Sequence, residues 1–237
     1  MPKRTLTPTY NAYQFGTCTP LTELQMNRLI GFFSQPPPKT NSVLGGRSSV
    51  SYHRIEDLGP VVVKHYKRGG LWGRLVRRRY LKWGKSRSQL EFELLQKARD
   101  LGINVPEPLL YAHHGRWIYR AWLVTREIKQ PLSLARLSLN DAKRTRQVMA
   151  SVIDQISRLI DHGIRHVDLH PGNVVIDQND RVFLLDFDKG SLHQGNKIKL
   201  RNRYINRWQR AVSKHGLPEI LTEMLLSGLN LSSFKWK

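Results

Sequence analysis

Two short polar loops constrain this chain most. They are "HVDLHPGN" at residues 166–173 and "LLDFDKG" at residues 184–190, each joined to an apolar segment, "NVVID" or "RVFLLDF". Asp168 and Asn173 stand in D-x-x-x-x-N spacing, and Asp186 follows eighteen residues after Asp168. An isolated Asp at a strand end usually caps a turn, but three such oxygens in register argue for chemistry. Mg²⁺ prefers oxygen ligands and commonly takes one or two carboxylates together with substrate phosphates. Asn173 and Asp186 can supply the protein oxygens. Asp168 is then left to orient an acceptor hydroxyl and take its proton.

Such loops need a lysine and a phosphate-covering turn, and both have candidates upstream. Lys64 ends the apolar run "VVVK". Gly45 and Gly46 stand in a hairpin before it, where backbone N–H groups can approach phosphate without a Cβ in the way, although a plain hairpin turn reads equally well.

The order of elements is β-rich, then helical. Residues 1–40 are mixed and end in the stiff "SQPPPKT". "SVLGGRSSVSYHRIEDLGPVVVKHY" predicts three strands in hairpins. "SRSQLEFELLQKARDLG" predicts a helix with Ser at its start and Gly102 at its end. "LLYAHHGRWIYRAWLVTREI" predicts two or three further strands. A long helix follows over "SLNDAKRTRQVMASVIDQISRLIDHG". Asn140 is its cap, Gly163 its stop, and Met149, Val152, Ile153, Ile156, Leu159 and Ile160 share one face. The remainder is helical and basic. The expectation is an α+β chain with a cleft between its halves. The N-terminal lobe spans 1–128 (an antiparallel sheet, one helix and a basic insert at 64–88), and the mainly helical C-terminal lobe spans 129–237.

Charge narrows the partners. There are 39 Lys and Arg against 18 acidic residues, a net of +21, so the surface attracts a polyanion: nucleic acid, anionic lipid or a phosphorylated substrate. Lys64 to Arg87 alone holds ten Lys or Arg and no acid. Trp72, Leu75, Val76, Tyr80 and Trp83 recur there at helical spacing, with Arg74, Arg77, Arg78 and Lys82 largely on other sides. Arg68 begins the same run. A charge run is ordinarily a solvated face, but this pattern fits a basic amphipathic helix on a membrane surface. No stretch is apolar enough to span a bilayer, and "MPKRTLTPTY" lacks the apolar core of a signal peptide. Cys18 is the only cysteine, so no internal disulfide can form and a reducing cytoplasmic setting is expected.

H-x-D-x-x-x-x-N followed by D-F-x resembles the catalytic and metal loops of the protein-kinase-like fold. With "KHYKRGGLWGRL" and "EFELL…NVPEP", the chain from about 40 to 210 resembles the 3-deoxy-D-manno-octulosonic acid (Kdo) kinases of Gram-negative bacteria. The resemblance implies ATP and Mg²⁺, with Asp168 as base, Asn173 and Asp186 on the metal, and Lys64 on the α- and β-phosphates. It also implies a helix Glu paired to Lys64. Glu91 shares a face with Leu94, Leu95 and Ala98, whereas Glu93 faces Gln96, Lys97 and Asp100, so Glu91 is expected. Backbone near Glu127 would bind adenine.

The implied acceptor is the 4-hydroxyl of a Kdo residue on a lipid A precursor, met at the cytoplasmic face of the inner membrane by a peripheral enzyme. Arg68, Trp72, Arg74, Arg77 and Arg78 would meet that anionic surface, with no nucleic-acid or protein partner expected. Val167 stands where many protein kinases carry an Arg that reads a phosphorylated activation loop, which argues against that switch. Asp188, where a Gly is usual, is either a second metal oxygen or a turn residue. His166 has a structural role, and His170 is either structural or near the acceptor. Other readings are a kinase of this fold acting on a soluble sugar, an aminoglycoside or a core heptose, and a non-enzymatic nucleic-acid binder.

Overall fold

The computed structural model describes residues 5–35, 49–66, 80–81, 84–115 and 118–232. They fall into two compact units, Met1–Gln96 with Glu107–Glu127, and Lys97–Pro106 with Ile128–Lys237.

The first unit is built on an antiparallel sheet. Its strands are β1 (Thr9–Tyr10), β2 (Tyr13–Thr17), β3 (Ser49–Ile55), β4 (Gly59–His65), β5 (Tyr80–Leu81), β6 (Pro108–His114) and β7 (Ile118–Arg126). The order is β1-β2-β6-β7-β4-β3, and β5 pairs with the start of β7. Side chains alternate along a strand. Val61 and Val63 therefore enter one core with Phe15, Leu110, Trp122 and Val124, while Lys64 points to the opposite face.

Helix α1 (Glu23–Ser34) covers that core with Met26, Leu29 and Phe33. Helix α2 (Arg87–Asp100) buries Glu91, Phe92, Leu94, Leu95 and Ala98. Ser86 starts α2 by accepting the Gln89 N–H at 3.2 Å. Gly102 ends it at φ +73°, with Ile103 N–H returning to the Ala98 carbonyl, a closure that glycine allows at no steric cost. The last turn of α2, from Lys97, groups with the second unit.

The second unit is mainly helical. It contains α3 (Leu134–Asn140), α4 (Ala142–Asp161), α5 (Lys197–Lys214) and α6 (Ile220–Ser232). Two small sheets complete it, β8 (Leu132–Ser133) with β10 (Val174–Ile176) and β11 (Val182–Leu184), and β9 (Ile164–Arg165) with β12 (Ser191–Leu192). Met149, Val152, Ile156, Leu159 and Ile160 of α4 are buried. Gly163 follows α4 at φ +61°, and a Cβ there would lie 2.6 Å from the His193 carbonyl oxygen. Only glycine fits that close strand approach.

Three expectations change. Among the described residues, the first unit carries two helices rather than one. Residues 9–34 form two strands and α1, which begins with a Thr22/Gln25 capping box. The long helix begins at Ala142 rather than before it. Asp141, not Asn140, caps it by accepting the Arg144 N–H at 2.8 Å, while the Asn140 amide donates to the Arg136 carbonyl and closes α3. Tyr80 lies in a strand, not a helix, because it pairs in register with Tyr119 of β7. Two of the three strands expected over 42–66 are described, and residues 42–48 of that stretch lie outside the described residues. Gly45, Gly46, Arg68, Trp72, Arg74, Arg77 and Arg78 lie outside the described residues.

Candidate active site

In the first unit, Lys64 meets Glu91. Its Nζ donates to both carboxylate oxygens at 2.8 Å. Tyr66 also donates to Glu91 through its hydroxyl. The alternation of β4 puts Lys64 on the α2 side, and the helical period turns Glu91 inward. Glu93 instead takes Lys85 at 2.7 Å on the surface. Both partners of the Lys64 pair are buried. A buried pair is costly to desolvate and costlier still to break, which fixes Nζ in one position. Glu127 follows β7, but its own N–H donates to the Pro60 carbonyl at 3.1 Å. Any adenine contact here would come from neighbouring backbone groups.

In the second unit, the β10–β11 hairpin aligns the polar loops. Val174 faces Leu184 in register, so Asn173 and Leu185 are opposite one another, and Leu185 N–H donates to the Asn173 carbonyl at 2.8 Å. Asp186 comes next, at the same end of the hairpin. Its φ is +61°, a region that an Asp tolerates but seldom adopts, and such outliers concentrate at functional sites. Asn173 Nδ2 donates to the Asp168 carbonyl at 2.9 Å, which leaves its Oδ1 to face a ligand. A side-chain amide oxygen and a carboxylate at one hairpin end fit a hard cation that completes its shell with phosphate and water. Asp188 lies in the turn closed by Gly190 N–H on the Phe187 carbonyl.

His166 ties the two loops together. Its Nε2–H donates to the Leu185 carbonyl at 2.7 Å, and its Nδ1 accepts the Asp168 N–H at 3.2 Å. These partners select a neutral ring with the proton on Nε2. Burial pushes its pKa down to the same end. Its own N–H donates to the Tyr204 hydroxyl at 2.9 Å, and that hydroxyl donates to the Ile164 carbonyl.

Asp168 is half-exposed and has two basic neighbours. His170 Nε2 lies 3.7 Å from one oxygen, and Arg207 Nη2 donates to the other. His170 and then Arg207 hold its carboxyl well below the usual carboxylate range. His170 Nδ1 also accepts the Gly172 N–H at 3.1 Å, which fixes the ring in the loop. Arg207, which reaches Asp168, is not among the residues that the sequence singled out. Its signal was present: Arg203, Arg207 and Arg210 recur at helical spacing in a stretch without acid.

A lysine paired to a carboxylate in one unit, and two carboxylates with an amide in the other, are residue types that phosphoryl transfer uses. The lipopolysaccharide kinase (Kdo/WaaP) family matches residues 44–228. The chain belongs to this family. It is similar to the 3-deoxy-D-manno-octulosonic acid kinase of Vibrio cholerae, 32% identical over 161 residues, which are 65% of this chain and 68% of the relative. The kinase of that name from Photobacterium profundum is 31% identical over 186 residues, 77% of each chain. The one from Xylella fastidiosa is 33% identical over 174 residues, 72% of this chain and 68% of its own. Membership makes this Kdo/WaaP kinase a phosphotransferase acting on a sugar hydroxyl, with the α+β, two-lobed kinase-like fold. Family membership implies ATP as the donor.

Proposed function

We propose that this protein transfers the γ-phosphoryl of ATP, with Mg²⁺, to the 4-hydroxyl of a Kdo residue on a lipid A precursor. It would work as a peripheral enzyme at the cytoplasmic face of the inner membrane. The observation that carries the reading is the alignment of Asp168, Asn173 and Asp186 through His166 and the β10–β11 register. The relatives' name supplies the acceptor sugar, and the resemblance in the loops supplies its hydroxyl. The excess of 21 positive charges suits an anionic lipid substrate. No helix among the described residues is long and apolar enough to cross a membrane.

Each residue has a defined task. Lys64, held by Glu91, would offset charge on the α- and β-phosphates. Asn173 Oδ1 and the Asp186 carboxylate would hold Mg²⁺. When bound, the ion neutralises charge that builds on the transferring phosphoryl group. Asp168 would orient the acceptor hydroxyl and accept its proton as the new O–P bond forms and the bond to the leaving β-phosphate oxygen breaks. Its depressed pKa keeps it ionised for that task. His166, buried and neutral, fixes the loop that carries Asp168 and takes no part in proton transfer.

The test is transfer from labelled ATP to Kdo-lipid A precursor in detergent, beside Asp168→Asn. Label should enter the lipid with the wild type, and the variant should lose about 10²–10⁴-fold in rate. ATP hydrolysis without labelled lipid would reject this acceptor and favour another sugar, such as a core heptose. Full activity in the variant would reject Asp168 as the base.

A further inference from the structure

A cavity of about 230 Å³ opens in the second unit beside the catalytic loop. Arg203, Arg207 and Arg210 of α5 line it together with Arg165 of β9, next to Asn206 and Tyr204. The α5 arginines stand at i, i+4 and i+7, one face of the helix. No Asp or Glu occurs anywhere in α5. Among the described residues, the one ion pair these four arginines make is that of Arg207 with Asp168. The Nε of Arg207 is buried without a hydrogen-bond partner.

Four guanidinium groups around one cavity repel one another unless an anion sits among them. Each presents a planar fork of donors that matches a carboxylate or phosphate with two parallel hydrogen bonds. The volume is below the range of roughly 300–1,000 Å³ usual for drug-sized ligands, so it suits one charged group of a sugar rather than a nucleotide.

We propose that this cavity binds the carboxylate of the acceptor sugar, with Arg207 shared between that carboxylate and Asp168. The inference rests on the phosphotransferase reading above and adds how the acceptor is recognised. His166 and Val167 also border the cavity, and Asp168 is the next residue in the loop. A sugar acid anchored on Arg165, Arg203 and Arg210 would therefore present a hydroxyl to the base. Arg207, which already donates to Asp168, would turn part of its fork to the incoming carboxylate. The acceptor's charge would then help to arrange the catalytic oxygen that receives its proton. A phosphate on the lipid is the other source of such an oxyanion. The carboxylate is favoured because it belongs to the sugar that carries the reacting hydroxyl.

The test compares wild type, Arg203→Gln, Arg210→Gln and Arg203→Lys on three acceptors. These are Kdo-lipid A precursor, the same lipid with the sugar carboxylate methylated, and the same lipid without its phosphates. Binding of free Kdo, followed by calorimetry, needs no turnover. Each Gln variant should raise the acceptor KM about tenfold or more, leave the KM for ATP within twofold, and weaken Kdo binding. Arg203→Lys should recover part of the loss. Methylation should impose a similar penalty on the wild type and add little to the Gln variants. If the arginine effect instead vanishes only on the dephosphorylated lipid, the carboxylate assignment is overturned. Gln variants with unchanged acceptor KM and unchanged Kdo binding would overturn the cavity as a binding site. A wild type that transfers nothing, yet loses Kdo binding in the Gln variants, would refute the proposed reaction and uphold the cavity.

Discussion

His166 illustrates how much one buried ring can organise. Each ring nitrogen has one partner, and the partners belong to different loops. Protonation would put a second N–H against the Asp168 amide and a charge into a buried site, so the folded state resists it. The sign of the pH effect follows. The folded pKa lies below the ordinary 6.5, so the unfolded chain binds more protons as pH falls. Stability from this residue is therefore full above about 6.5 and declines as pH drops toward the folded value. His53 and His215 are shifted in the same direction, so the contribution must be read by difference. The melting temperature measured from pH 8 to 5 should fall less steeply in His166→Asn than in the wild type. Parallel curves would show that His166 does not titrate on unfolding.

At the scale of elements, the bond between β4 and α2 carries the clearest energetic consequence. Lys64 and Glu91 are both buried, so removing one charge strands the other. Breaking such a pair costs about 3–5 kcal/mol, whereas replacing both partners by apolar residues is often neutral. Glu91→Gln should therefore lower the unfolding free energy markedly in urea and raise the KM for ATP. The double variant Lys64→Met, Glu91→Leu should recover much of the stability and none of the transfer activity. Recovery of both would remove Lys64 from the phosphate site. The same logic of paired elements explains β1 and β2. They are too short to be read from the sequence alone; β2 pairs on the edge of β6, with Tyr13 facing His114 and Thr17 facing Leu110, and β1 pairs in turn on β2.

For the whole molecule, the dominant quantity is charge. A net of +21 is a long-range field that a lipid surface of opposite sign would feel. Each Lys or Arg near such a surface contributes about 1 kcal/mol, and salt screens the effect over a Debye length of about 10 Å at 0.1 M. Sedimentation with vesicles containing anionic lipid should decline steeply from about 0.1 M to about 1 M salt. Replacing Arg74, Arg77 and Arg78 by Gln should weaken it further at low salt. Binding that ignores both salt and these substitutions would remove the electrostatic attachment.

The loop spacing singled out Asp168, Asn173 and Asp186 as candidates, and the β10–β11 register brings their loops to one end of that hairpin. Glu91 was legible because the 3.6-residue period of α2 separates its face from that of Glu93. The helix starting at Asp141, by contrast, hinged on which of two adjacent side chains took the Arg144 amide, a choice of hydrogen-bond geometry that composition does not reveal. Arg207 lies thirty-nine residues from Asp168, and no local pattern links them. Only the packing of α5 beside the loop of Asp168 brings that guanidinium to the carboxylate and gathers Arg165, Arg203 and Arg210 around one cavity. Local spacing depends on covalent geometry and repeats along the chain. A shared binding site depends on which faces are buried together, and tertiary packing alone decides that.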